Sequence, residues 1–229
     1  MSSSNTVAHT MIERTSLTSQ QWALLITPPL LLLTTFLTYN GLAAVLGVKL
    51  GYFGGFCFYW IIWCLALPYW VLKPRSLREL FRDVHPRLGR PAWLGAVCLV
   101  VPPIFAYVFY FPHALLPATL LIILTSIPLA IVNATMEEVL WRGTYVTVFP
   151  RHMVAGYLYP AVGFGFWHLA PLSIVPSTMS GGSLYFAIFA VVLGLAFGWV
   201  ALSTGSIRWT TVSHALLDFA GLGTLIYFT

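Results

Sequence analysis

The stretch ATMEEVLWRGTY, Ala134–Tyr145, sets two adjacent carboxylates and an arginine in one of the most apolar parts of the chain. Ionisable residues in apolar spans are costly, face the interior of a bundle and mark functional sites. Glu138 and Arg142 are spaced i, i+4, so they share a helix face and can pair. Glu137 lies about 100° further round the helix and is left for another partner. Two more apolar stretches supply polar groups. GFGFWHLAP carries His168, and TVSHALLDFAG carries His214 and Asp218, again at i, i+4. A buried carboxylate beside an imidazole can activate water as a general base. A second imidazole or another polarised donor can stabilise the oxyanion of a tetrahedral intermediate. The same set, Glu137, His168, His214 and Asp218, also matches the donor types that zinc accepts. Spacing does not choose between these chemistries. HExxH is absent, and so are G-x-S-x-G and a GxGD aspartyl motif, so the usual nucleophile-centred alternatives have no support.

These groups need elements to hold them, and the composition says which kind. Of 229 residues, 59% are hydrophobic and only 7% charged, where a soluble domain carries about 25% charged residues. The mean hydropathy is +0.87. The chain reads as an all-α, polytopic transmembrane helix bundle. A span needs about 20 apolar residues, and seven such runs are expected: 22–48, 51–72, 92–111, one from 115 into the opening stretch, 153–170, 184–203 and 209–228. The fourth run continues to Phe149 and is too long for one straight helix. Residues 1–21 read as a disordered polar tail, and 22–229 as a single transmembrane domain with its catalytic core in 115–229. Gly163 and Gly165 thin the fifth span and invite a close neighbour.

Basic residues set the orientation. With the N-terminus in the cytoplasm, Arg14, the basic residues of the 73–90 loop, Arg151 and Arg208 all lie inside, and Lys49 alone lies outside. The net charge of +5 is thus a topology signal, and no nucleic-acid partner is expected. Within the 73–90 loop, Ser76 and Glu79 fit a capping box. Leu77, Leu80, Phe81 and Val84 follow at helical spacing, which predicts a short amphipathic helix in the cytoplasmic interface, ended by Pro86. Cys57, Cys64 and Cys98 sit in apolar runs without a CxxC and read as reduced packing residues. His9, His85, His113 and His152 fall in tail or loops and receive no role.

The motifs then combine. EEVLWR reads as E-E-x-x-x-R, FGFWH as F-x-x-x-H and HALLD as H-x-x-x-[N/D], in this order on successive membrane helices. Together they resemble the CPBP family of intramembrane endopeptidases, the CAAX-protease and bacteriocin-processing (Rce1-like, abortive-infection) proteins. The resemblance covers about Ala134 to Phe219, and the first half of the chain adds no motif to it. It implies an intramembrane endopeptidase acting on a membrane-associated protein or peptide. By that resemblance Glu137 and His168 activate the attacking water, and His214 with Asp218 stabilises the oxyanion or positions the carbonyl. Glu138 and Arg142 hold the site together. The family has been described both as glutamate-type without a cofactor and as dependent on a divalent metal such as zinc, for which Glu137, His168, His214 and Asp218 are the candidate ligands. One departure stands out. The CAAX endopeptidases carry Asn at the last motif position, where this chain has Asp218. An ionised Asp cannot donate to an oxyanion. A protonated one can; otherwise Asp218 orients His214 or binds a metal. Nothing in the chain indicates prenyl recognition.

Two other classes share the same residues. A proton- or ion-coupled transporter could relay protons through the Glu/His/Asp set, although the internal repeat common in transporters is missing. A non-catalytic membrane immunity or scaffold protein is the third reading.

Overall fold

The structure, a computed structural model, describes residues 17–228, the side chains of Pro74 and Arg75 excepted. It is a helical bundle with no strand among the described residues. Most of the expected N-terminal tail lies outside these residues. The first helix, α1 (Ser19–Leu46), begins ahead of the expected Trp22 because Thr18 and Gln21 cap it reciprocally. There follow α2 (Val48–Lys73), α3 (Ala92–Phe109), α4 (Leu120–Val148), α5 (Tyr159–Trp167), α6 (Gly182–Thr204) and α7 (Arg208–Ala220).

Six helices among the described residues are long and apolar enough to cross a membrane, the last running on to Phe228. The expected fifth span, 153–170, is not among these six, because its helix is divided. A π-helical turn, Val154–Leu158, leads into α5, and a break at His168 separates α5 from the short helix Leu169–Leu172. The long fourth run stays helical throughout by switching to π geometry over Val139–Thr144. Such π segments are often found at functional sites, and this one starts directly after Glu137 and Glu138.

The bundle is apolar on both its faces. On α1, Trp22, Ile26, Leu30, Leu33 and Leu37 form an exposed stripe, while Leu24, Thr27, Leu31, Thr35 and Tyr39 are buried. A water-soluble helix would show charge on the outer stripe; lipid requires none. Gly163 and Gly165 do admit close neighbours. A Cβ on Gly165 would lie 2.6 Å from the Ala187 carbonyl oxygen of α6, and one on Gly163 would lie 2.9 Å from Pro28 and Trp141.

Prolines inside helices release carbonyls, since a proline has no N–H to offer the residue four positions earlier. In hydrocarbon no water replaces that donor. Pro28 and Pro29 leave the carbonyls of Leu24 and Leu25 free, and the hydroxyls of Tyr145 and Tyr159 take them, at 2.8 and 2.5 Å. Pro103 leaves the Leu99 carbonyl free, and Ser213 donates to it at 2.6 Å. The first half of the chain is thereby bonded to the second, and Ser213 fixes α7 one residue before His214. Tyr145→Phe is expected to destabilise the protein by about 1–3 kcal/mol, the cost of a buried unpaired carbonyl. Thermal unfolding in detergent checks this; an unchanged midpoint would mean that the bond contributes nothing.

The 73–90 loop departs from its expected form. Lys73 adopts a left-handed backbone (φ 65°) that breaks α2, and helix resumes only as far as Glu79. Ser76 therefore lies within the helical turn and not at its N-cap, and residues 82–84 are no longer helical. The reason is docking. Leu80 is buried against Gly143 of the π segment, its carbonyl accepts from the Ile207 N–H at 2.8 Å, and Ser206 Oγ donates to the Arg82 carbonyl at 2.9 Å. Further along, Arg87 clasps Asp83 through two hydrogen bonds. That clasp holds the exposed Asp83 carboxyl below its usual range, so the pairing is complete at neutral pH and is lost as pH falls through the lowered value.

Candidate active site

Three helices meet around a polar core. Glu137, Glu138 and Arg142 come from α4 and its π segment, His168 from the break after α5, and His214 and Asp218 from α7. Glu137, Glu138, Arg142 and His214 are each at most 2% exposed.

The two glutamates divide as their spacing suggests. Glu138 Oε1 lies 3.0 Å from Arg142 Nη1, an ion pair outside hydrogen-bond alignment. The guanidinium is covered on its other side by the Phe164 ring, 4.1 Å from the centroid, a cation–π contact strengthened by the absence of water. Glu138 also accepts a 2.9 Å hydrogen bond from His214 Nδ1. This second duty was not legible in the spacing: Glu138 orients an imidazole as well as neutralising Arg142. With Nδ1 committed, His214 Nε2 points at Glu137 Oε2 and at Asp218 Oδ1, each 3.5 Å away. Neither oxygen of Glu137 has a hydrogen-bond partner among the protein atoms. It is the carboxylate held over for something else.

His168 is oriented by its own helix. Its Nδ1 lies 2.8 Å from the Phe164 carbonyl oxygen. A carbonyl can only accept, so Nδ1 carries the hydrogen and Nε2 is left with a free lone pair. Phe164 thus serves both sides of the site, its ring over Arg142 and its carbonyl under His168.

Asp218 is held by residues that the motifs do not contain. Asn133, one turn before Glu137, donates from Nδ2 to Asp218 Oδ2 at 2.9 Å. Asn133 Oδ1 in turn accepts from the indole Nε1 of Trp60 on α2 at 3.0 Å. The only available sequence signal for Asn133 was its position four residues ahead of Glu137, on the same helix face.

Two neighbouring cavities, or lobes, open on this set. Glu137, His168, Asn133 and Asp218 line both lobes, together with Tyr52, Leu172, Phe186 and Gly223. One lobe, about 250 Å³, runs between aromatic walls of Phe56, Trp60, Trp167 and Tyr227. The other, about 580 Å³, is bounded by Phe105, Tyr110, Phe189 and the loop 175–179. Of the expected site residues, Glu137 and Asp218 both come within 3.5 Å of His214 Nε2, and His168 lines the same cavities as Glu137 and Asp218. Among the described residues no group of three or more His, Cys, Asp or Glu side chains is arranged to hold a metal ion. The three cysteines are unpaired thiols outside the site.

Residues 119–220 match the family model described as "Type II CAAX prenyl endopeptidase Rce1-like". No curated protein and no solved structure matches the chain. The matched segment takes in α4 through α7 and every motif residue of the site. It leaves out Trp60.

Proposed function

We propose, for a chain whose residues 119–220 belong to the Rce1-like family, that it is an intramembrane endopeptidase that hydrolyses an internal peptide bond of a membrane-associated protein or peptide by a glutamate-activated water. The observation that supports this best is that Glu137 and His168 line both of the neighbouring cavities. A substrate chain entering one lobe and leaving by the other presents a peptide bond to them from both sides, as internal cleavage requires.

In this reading a water binds between Glu137 and the free Nε2 of His168. Glu137 takes one proton, the water oxygen bonds to the carbonyl carbon, and the carbonyl electron pair moves onto its oxygen. Positioned donors at the developing oxyanion lower the barrier. His214, with Nε2 protonated, is the donor, its ring fixed by Glu138. Asp218, whose Oδ2 already accepts from Asn133, orients His214 and does not itself donate. The intermediate collapses as the C–N bond breaks, and Glu137 returns its proton to the leaving amine. No step passes through a metal, so treatment of the purified protein with a chelator is expected to leave the rate unchanged. Loss of activity that zinc restores would replace this mechanism with a metal-dependent one.

The direct test is cleavage of a membrane-anchored peptide by the purified protein in liposomes, with the products identified by mass. Two fragments meeting at an internal bond are expected, and an intact peptide would overturn the reading. In the same assay His168→Ala is expected to lower kcat by about 10²-fold or more, within the range general-base catalysis supplies. Wild-type rates in that variant would remove His168 from the mechanism. The N-terminus and the docked 73–90 loop are placed on the cytoplasmic side, by the distribution of basic residues.

A further inference from the structure

We propose that Trp60 and Asn133 form a positioning relay for Asp218, carrying the active site into the second span, outside the segment that matches the family model. The proposal rests on the endopeptidase reading for its kinetic part only.

The argument starts from what each group can do. An indole N–H is donor only, whereas a carboxamide has one face that accepts and one that donates. Trp60 Nε1 lies 3.0 Å from one end of the Asn133 side chain, so that end must be Oδ1. The NH2 end is then turned towards Asp218, 2.9 Å from Oδ2. Were the amide reversed, its oxygen would meet the Asp218 oxygen and its NH2 the indole N–H. Both contacts would be repulsive, so the indole selects the productive orientation. Asp218 needs such a guide. Its side chain is 20% exposed to the cavity, and its contact with His214 Nε2 is a long 3.5 Å. A carboxylate held only by that contact could rotate away and leave His214 Nε2 facing Glu137 alone. With Oδ2 clamped by Asn133, Oδ1 stays facing the imidazole. The relay runs Trp60, Asn133, Asp218, His214 and reaches Glu138 through His214 Nδ1.

Neither Trp60 nor Asn133 donates or accepts a proton in the reaction. Both act through Asp218, so their loss should affect kcat and spare KM. Trp60→Phe keeps an aromatic six-membered ring to pack against Phe56, 5.3 Å from Trp60 in the wild type, and removes the pyrrole ring with its N–H. Asn133→Leu keeps the side-chain shape and removes both polar ends. Expected losses in kcat are about 10-fold for Trp60→Phe and about 10²-fold for Asn133→Leu, the fold-changes that a hydrogen bond to a neutral and to a charged group correspond to. KM should stay within about twofold of the wild type. The double variant should be no slower than Asn133→Leu, because with the amide gone the indole has nothing left to orient. A purely structural role gives a different pattern, with additive losses and falling thermal stability. Additive losses, a raised KM with unchanged kcat, or wild-type rates would each overturn the relay.

A readout independent of cleavage separates this proposal from the function it builds on. The indole N–H resonance of Trp60 in detergent should move in Asn133→Leu and, through the amide, in Asp218→Leu. If the wild type cleaves nothing but these shifts appear, the relay stands and the endopeptidase reading fails. If the wild type cleaves and the resonance ignores both substitutions, the relay fails alone.

Discussion

Glu137→Gln is expected to reduce cleavage of a membrane-anchored peptide by at least about 10³-fold while the protein remains folded. The magnitude lies within what a positioned general base contributes. The amide has the shape of the acid and cannot take a proton from water. Stability should move the other way. Glu137 is 1% exposed, and neither of its oxygens has a hydrogen-bond partner among the protein atoms. A carboxylate in that setting carries a desolvation cost that a neutral amide largely escapes. The midpoint of thermal unfolding in detergent should therefore be unchanged or raised. Rapid cleavage by the variant would end the case for Glu137 as base. Loss of activity together with loss of fold would show that its carboxylate is needed for packing.

The neighbouring substitution should give the reverse signature. Glu138→Gln removes the charge that answers Arg142 at 3.0 Å, in a position where both side chains are almost wholly buried. Breaking a buried ion pair from one side typically costs about 3–5 kcal/mol, because the surviving charge is left in a low dielectric without a partner. The Phe164 ring, 4.1 Å from the guanidinium, offsets only part of that, since a cation–π contact contributes about 2 kcal/mol when desolvated. An amide oxygen can still accept from His214, so the ring is not released. Thermal stability should fall sharply, and activity should fall mainly as folded protein is lost. Two adjacent glutamates, each changed to the same residue, would thus separate catalysis from stability. Comparable unfolding midpoints for Glu137→Gln and Glu138→Gln would contradict the pairing.

What the sequence made legible was what a single helix encodes. The i, i+4 spacing of Glu138 with Arg142 and of His214 with Asp218 places each pair on one face, and the structure keeps both pairs together. The helical bundle followed from composition. What stayed hidden depends on contacts between spans. Trp60 and Asn133 are 73 residues apart, and nothing local to either reports that an indole will choose the orientation of an amide. The interfacial helix expected in the 73–90 loop fails to form for the same reason. Its apolar spacing suggests a face for lipid, but Leu80 instead packs against Gly143, and the Arg82 carbonyl accepts from Ser206. The break at His168, by contrast, has a local correlate in Pro171, which has no N–H for the Trp167 carbonyl and whose ring crowds it.

The prolines of α1 and α3 have a consequence in time. Their freed carbonyls and the hydroxyls that satisfy them are separated by 121, 134 and 114 residues of chain. A ribosome makes the acceptors early and the donors late. While the last spans are still unmade, the carbonyls of Leu24, Leu25 and Leu99 lack the partners they have in the finished bundle, in a solvent that offers few substitutes. Completion of synthesis is therefore written into the early spans as a chemical condition, and a nascent chain halted before Tyr145 carries the mark of being unfinished.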